Sequence, residues 1–299
     1  MNTTFKGFAN RWVSATSFGL IPLFSIPVMT APAPMQPSSI LVYRFAFGCL
    51  GILAVLLWKR IDLRINRKEF LEICLLALLY DIEALLMIIG FKYMPSGPAT
   101  TLVFSYPIWT QILMLLFFKE RFSWPTIFAT SLAFAGVACM SGIDGNSNIL
   151  PIGVVIELFA GLSYAFYMVA LSRMGVRNMG ALKLTFYVFL MGLIFFLVFA
   201  MLFAGGVEPI QSGNTFFNLL MLGLLCTALS NVMLIPAVEQ IGATLTAILG
   251  AFEPLTAMIV GILVFGEHFT ATIGLGFGLI VSAVMILVGS RMRYKVKPV

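Results

Sequence analysis

Long apolar runs alternate with short polar punctuation along the whole chain. A helix needs about 20 mostly apolar residues to cross roughly 30 Å of hydrocarbon. Runs of that kind, bounded by Pro, Gly and charge clusters, fall near 12–30, 39–58, 70–92, 98–118, 124–142, 151–171, 183–204, 215–238, 243–265 and 271–290. The pattern predicts an all-α polytopic membrane protein with ten transmembrane helices. The connections are too short to hold a soluble domain.

Composition removes the competing classes. The 299 residues are 61% hydrophobic and only 10% charged, against about 25% charged in soluble domains. A soluble fold would lack the polar side chains to cover its surface, and disorder, collagen and a disulfide scaffold fall to the same arithmetic. The net charge of +6 does not point to nucleic acid, because the basic residues cluster between apolar runs, at Lys59–Lys68 and Arg291–Lys297. That is the pattern of a cytoplasmic membrane surface. With the N-terminus inside, 16 of the 18 basic residues are cytoplasmic, Lys6 and Arg11 among them; Lys92 alone lies outside and Arg44 falls within a span. Both termini are therefore expected in the cytoplasm. Lys6, Arg11, the apolar stretch and Ala31-Pro-Ala33 loosely imitate a secretory signal. The stretch is longer than a usual signal core and carries Pro22 and Pro27, which favours a retained span. The four cysteines fall inside apolar runs, where a thiol acts as a small hydrophobe. No disulfide, metal or cofactor is expected.

Shifted by 147 residues, the chain matches itself without gaps from about residue 71 to 142. Pro107 falls on Pro254, Glu120 on Glu267 and Gly142 on Gly289, so Pro and Glu are 13 apart in both halves. Five spans per unit is an odd number, so the second copy must insert upside down. The expected organisation is two inverted five-helix repeats, residues 1–146 and 147–299. Alternating-access carriers are built this way, with the substrate site between the repeats near the midplane.

The segments Pro98–Gly142 and Thr244–Gly289 each carry a Pro-containing span, a Glu at the following turn and a Gly-rich last helix. In this, and over nearly the whole chain, the sequence resembles the EamA branch of the drug/metabolite transporter superfamily. The resemblance implies a carrier of the bacterial cell inner membrane, often an exporter of amino acids or related metabolites. It also implies a central cavity lined by spans 1, 3, 4, 6, 8 and 9, with spans 5 and 10 peripheral.

Ionisable side chains inside spans are costly and are candidates for function. Here they are Arg44, Asp81, Glu83, Glu157 and Glu253. Asp81 and Glu83 point about 200° apart on a helix and cannot both face one cavity. Under the 147-residue shift, Tyr80, Glu83 and Ala84 correspond to Thr227, Ser230 and Asn231, an i, i+3, i+4 polar stripe, while Asp81 corresponds to Ala228. Glu83, Tyr80, Ser230 and Asn231 are thus assigned to the cavity, and Asp81 to an intramembrane ion pair with Arg44. Tyr106, Trp109 and Thr110 share a face, with counterparts Glu253, Thr256 and Ala257. Glu157, Gly161, Tyr164 and Met168 form another stripe, and Ser14, Ser17, Ile21 and Ser25 a mildly polar one. Pro107 and Pro254 are expected hinges, since each removes a backbone hydrogen bond within a span. Glu120 and Glu267 are read as structural carboxylates before positive helix ends, and His268 as a solvated loop residue.

Aromatic walls with several carboxyls suit a small amphipathic metabolite bearing an amino or other cationic group. Glu83 or Glu253 is expected to carry a proton in exchange for it. An enzyme is disfavoured: there is no HExxH, no second aspartate inside a span and no GxxxxGK[ST] loop. The alternatives are a channel or lipid scramblase, or a sugar, nucleotide-sugar or drug carrier of the same superfamily. The partners expected are the lipid bilayer, a small-molecule substrate and protons. A monomer is favoured over a dimer, because ten helices can enclose a cavity alone.

Overall fold

The computed structural model describes residues 3–93, 96–118, 124–140 and 150–265, with scattered residues between 271 and 286. Every regular element among the described residues is helical. The order is α1 (Thr3–Gly19), α2 (Ile21–Met29), α3 (Pro37–Trp58), α4 (Arg67–Gly90), α5 (Ser96–Val103), α6 (Tyr106–Phe118), α7 (Trp124–Met140) and α8 (Pro151–Arg173). A short 3-10 turn (Gly175–Met179) leads into α9 (Ala181–Phe203), followed by α10 (Gly213–Met221), α11 (Ser230–Ile241), α12 (Ala243–Leu249) and α13 (Phe252–Val264).

Seven stretches among the described residues are long and apolar enough to cross a membrane: Thr3–Met29, Pro37–Trp58, Arg67–Gly90, Pro151–Arg173, Ala181–Phe203, Gly213–Ile241 and Leu245–Val264. This is a multi-pass helical membrane protein, with seven such spans where ten were expected. Three expected runs are not among these stretches. The run at 98–118 carries α5 and α6. Helix α7 has only 17 residues, and 271–290 is described only in part.

The ends of the helices follow from local chemistry. Asn66 accepts from Glu69 N and the Glu69 side chain accepts from Asn66 N, both at 2.8 Å, a reciprocal cap that starts α4. Pro37 and Pro151 open α3 and α8, where a missing N–H costs nothing. Gly180 and Gly242, at φ 90 and 84, turn the chain into α9 and α12. Between α10 and α11 the chain is π-helical over Leu222–Leu229. There the Thr227 hydroxyl donates to Leu222 O at 2.7 Å, and a Cβ on Gly223 would stand 2.7 Å from Arg44 O.

Helix α1 packs on α11, α4 on α8 and α3 on α9. Phe45, Tyr80, Phe189 and Phe196 form an aromatic knot between α3, α4 and α9, with ring centroids 5.4 to 6.2 Å apart. Large apolar side chains such as Leu57, Phe203 and Leu263 face outward, as a lipid solvent allows.

Two expectations change here. The first span was placed at 12–30 with Arg11 on its cytoplasmic flank, but the helix begins at Thr3 and Arg11 lies within it, fully buried. The prolines were expected to kink spans from within. Instead the chain breaks at Phe104–Ser105 and at Gly250–Ala251, positions equivalent to within one residue under the 147-residue shift. Pro107 and Pro254 then fall in the first turns of α6 and α13, where no helical hydrogen bond is lost.

Candidate functional site

The polar interior is organised around Arg11. Its Nε donates to Thr246 O at 2.8 Å, Nη1 to Ser14 Oγ at 3.1 Å, and Nη2 to Tyr106 OH at 2.8 Å and Glu253 Oε1 at 2.6 Å. One guanidinium thus joins α1 to α6, α12 and α13. Ions in hydrocarbon are found paired and hydrogen-bonded because an unpaired one costs several kcal/mol. Glu253 gains a second source of stabilisation, since it lies in the first turn of α13 and complements the positive helix end. The break beside it is what lets these groups meet. A Cβ on Gly250 would stand 1.5 Å from Tyr106 OH and 2.4 Å from Arg11 Nη2, so only a glycine leaves room.

Glu83 and Glu253 line the same cavity, together with Tyr164, Thr100, Phe18 and Met87. Its open volume is ≈ 30 Å³, room for about two waters at 10–15 Å³ each. Ligand pockets run to about 300 Å³ and more, so in this conformation the cavity is too small for a metabolite-sized ligand.

A row of tyrosines leads away from the ion pair. Tyr106 meets Tyr164 edge-on at 4.7 Å, Tyr164 stacks on Tyr167 at 5.8 Å, and Tyr167 lies 5.4 Å from Tyr80. All four are buried. At the far end Tyr80 OH accepts from Asn231 Nδ2 at 2.9 Å and from Arg44 Nη2 at 3.4 Å, while Arg44 Nε donates to Thr227 Oγ1 at 2.6 Å. Arg44 therefore anchors to the π-helical stretch rather than to a carboxylate. Only Arg11–Glu253 and Lys68–Glu72 form ion pairs within 4.0 Å among the described residues, so the expected Arg44–Asp81 pair is not made. Asp81 points instead at Gly192 of α9, where a Cβ would stand 2.5 Å from Oδ1.

The other expected site residues are distributed as follows. Glu157 is fully buried, neither oxygen has a hydrogen-bond partner, and a Cβ on Gly90 would stand 1.8 Å from Oε1. Trp109 Nε1 donates to Ser105 Oγ at 3.1 Å, across the α5–α6 break. Thr256 Oγ1 donates to Phe252 O at 2.8 Å and packs against Gly19. Ser230 Oγ bonds back to the carbonyl of Thr227 at 3.0 Å, which satisfies its own helix rather than a ligand. Glu120, Glu267 and His268 lie outside the described residues. No group of three His, Cys, Asp or Glu side chains suited to a metal forms among the described residues.

Arg11 is the residue that sequence reasoning missed. From the sequence alone it reads as a flanking charge, because it precedes the strongly apolar run. The signal that reveals it is spacing: Arg11 stands three residues before Ser14 and continues the Ser14, Ser17, Ser25 side of the helix inward.

Comparison with known proteins agrees with this architecture. The chain is 24% identical over 298 residues to the uncharacterized transporter YojE of Bacillus subtilis, covering 98% of this chain and 96% of the relative. It is 31% identical over 184 residues to the uncharacterized transporter YcxC and 27% identical over 235 residues to the uncharacterized transporter YdfC, both of the same organism. These alignments cover 60% and 77% of this chain, and 57% and 75% of the relatives. A solved crystal structure only 14% identical superposes at a TM-score of 0.77 over 96% of this chain and 98% of its own, so the fold is shared. The profile of the EamA-like transporter family matches twice, at residues 12–142 and 151–289, and the chain belongs to that family.

Proposed function

We propose that this protein is a secondary carrier of the bacterial inner membrane that exports small metabolites bearing an amino or similar cationic group. It works by alternating access between two inverted halves, residues 1–146 and 147–299, with both termini in the cytoplasm and the monomer as working unit. The observation that carries the reading is the cavity in which Glu83 of the first half meets Glu253 of the second. Aromatic and apolar walls suit the apolar part of such a substrate, and two carboxyls suit its cation.

In this mechanism the Arg11–Glu253 pair holds the cavity contracted. A substrate cation or a proton arriving at Glu253 competes with Arg11 for the carboxylate, which loosens α1 from α13. The breaks at Phe104–Ser105 and Gly250–Ala251 let α6 and α13 swing separately from α5 and α12, with Pro107 and Pro254 as rigid first turns. The proton or substrate cation then passes from Glu253 to Glu83 across the shared cavity, and the freed Glu253 carboxylate pairs again with Arg11.

The test is counterflow in proteoliposomes, screened across amino acids, polyamines and sugars. Saturable uptake accelerated by substrate on the opposite side is expected, and Glu83→Gln and Glu253→Gln should each abolish its pH dependence. Linear, unsaturable flux would instead show a channel or a scramblase. Wild-type pH dependence in both variants would remove these carboxyls from the mechanism.

A further inference from the structure

The segment joining α3 to α4 is extended, and its side chains alternate. Ile61, Leu63 and Ile65 are half-buried against the core, whereas Arg60, Asp62, Arg64 and Asn66 are exposed. A period of two puts one face inward and the other outward, so this connection is seated by an apolar seam. Its backbone is pinned as well. The Tyr187 hydroxyl donates to Leu63 O, Lys183 Nζ donates to Arg64 O at 2.6 Å, and Asp62 Oδ1 accepts from Arg64 N at 3.0 Å. The Asn66–Glu69 cap closes its far end. The result is an ordered strap that holds Lys59, Arg60, Arg64, Arg67 and Lys68 outward.

Hydrogen bonds do not discharge the three acids nearby, so residues 59–72 carry five basic side chains against three acidic ones, but each acid is held by local contacts. Glu69 serves the cap, Asp62 serves the strap's own backbone, and Glu72 accepts from Val176 N at 3.0 Å and lies 4.0 Å from Lys68. Lys59, Arg60, Arg64 and Arg67 form no ion pair among the described residues. Arg60 carries a further signal. At φ 52 it is the only non-glycine residue with positive φ among the described residues. It stands just past the end of α3, where Ile61 N bonds back to Leu56 O, a position that glycine fills without strain and a side-chain residue does not. A cation thus stands where the backbone favours glycine. Trp58, the last residue of α3, is 82% exposed, and exposed tryptophans at span ends lie at headgroup level.

We propose that this strap binds the phosphate headgroups of anionic phospholipids in the leaflet it faces. Guanidinium forks match phosphate oxygens bidentately, and four or more basic residues beside a span attract anionic lipid. Because the strap is already ordered, little freedom is lost when a headgroup docks.

The experiment uses the full-length protein in phosphatidylcholine nanodiscs with and without phosphatidylglycerol. Retained lipid is counted by native mass spectrometry, and affinity is measured by titrating short-chain phosphatidylglycerol. Wild type should prefer phosphatidylglycerol, and less so at high salt. The triple variant Arg60→Gly, Arg64→Gln, Arg67→Gln should bind it on the order of 100-fold more weakly, about five-fold per charge. Arg60→Gly alone should lose about five-fold in affinity, while its thermal unfolding temperature in phosphatidylcholine holds or rises as the strain is released. Lys92→Gln, on the opposite side, should bind as wild type. Equal wild-type retention of both lipids overturns the proposal without any variant. So does wild-type affinity in the triple variant, or an equal loss in Lys92→Gln.

Discussion

Removing either partner of the Arg11–Glu253 pair isolates a charge inside the bundle. With Glu253→Gln, the guanidinium keeps Thr246 O, Ser14 and Tyr106 but loses its only anion. With Arg11→Met, the carboxylate loses its cation. Breaking a buried pair from one side costs about 3–5 kcal/mol. The Glu253 side chain is 20% exposed to the cavity while Arg11 is fully buried, so solvent screening favours the lower end, about 3 kcal/mol for Glu253→Gln. At roughly 2–4 °C per kcal/mol, the apparent Tm in detergent should fall by about 6–12 °C. The double variant Arg11→Met/Glu253→Gln removes both charges at once and should lose well under the sum of the two single losses, with a coupling of about 2 kcal/mol. Thermal unfolding of the four proteins closes the cycle. If the double variant falls by the full sum, to within the ~0.5 kcal/mol expected of independent sites, the pair is not coupled and the reasoning about a charge latch fails.

Further expectations rest on single contacts. Gly250→Ala must displace the Tyr106 hydroxyl and Arg11 Nη2, so it should cost about 1–3 kcal/mol as overpacking does. Gly213→Ala, where a Cβ meets nothing within 4 Å, should leave the unfolding temperature unchanged or raise it. Tyr80→Phe removes the acceptor of Asn231 and Arg44 and should lower stability by about 1–2 kcal/mol, read by the same thermal assay. Glu157→Met fills the same space without two buried, unpartnered oxygens and should raise stability by about 1–3 kcal/mol; a loss of that size would show that the carboxyl has a partner.

The class of the molecule and its family could be read from the chain because bilayer thickness and backbone hydrogen bonding impose long apolar runs. Periodicity was informative too. The roughly 200° separation of Glu83 and Asp81 on one helix is a local property of the sequence; in the structure Glu83 lines the cavity and Asp81 lies against Gly192. What escaped depends on contacts between residues far apart. Arg11 looks like a flank until α12 and α13 supply Thr246 and Glu253. The π-helical stretch at Leu222–Leu229 has no local signature; it forms where Arg44 meets Thr227 and Gly223 lies against α3. The breaks in the 98–118 and 243–265 runs fall ahead of the prolines, since Pro is comfortable in a first turn but forbids a helical bond behind it.

Arg11 and Glu253 are 242 residues apart, and a ribosome makes about 5–20 residues per second. The first helix therefore waits on the order of ten seconds or longer, during biogenesis, before its counter-ion has been synthesised. An orphan arginine near a helix end reaches for the phosphate layer along its own methylenes. Until Glu253 arrives, the buried position of Arg11 would hold an unpaired charge in hydrocarbon, which is costly.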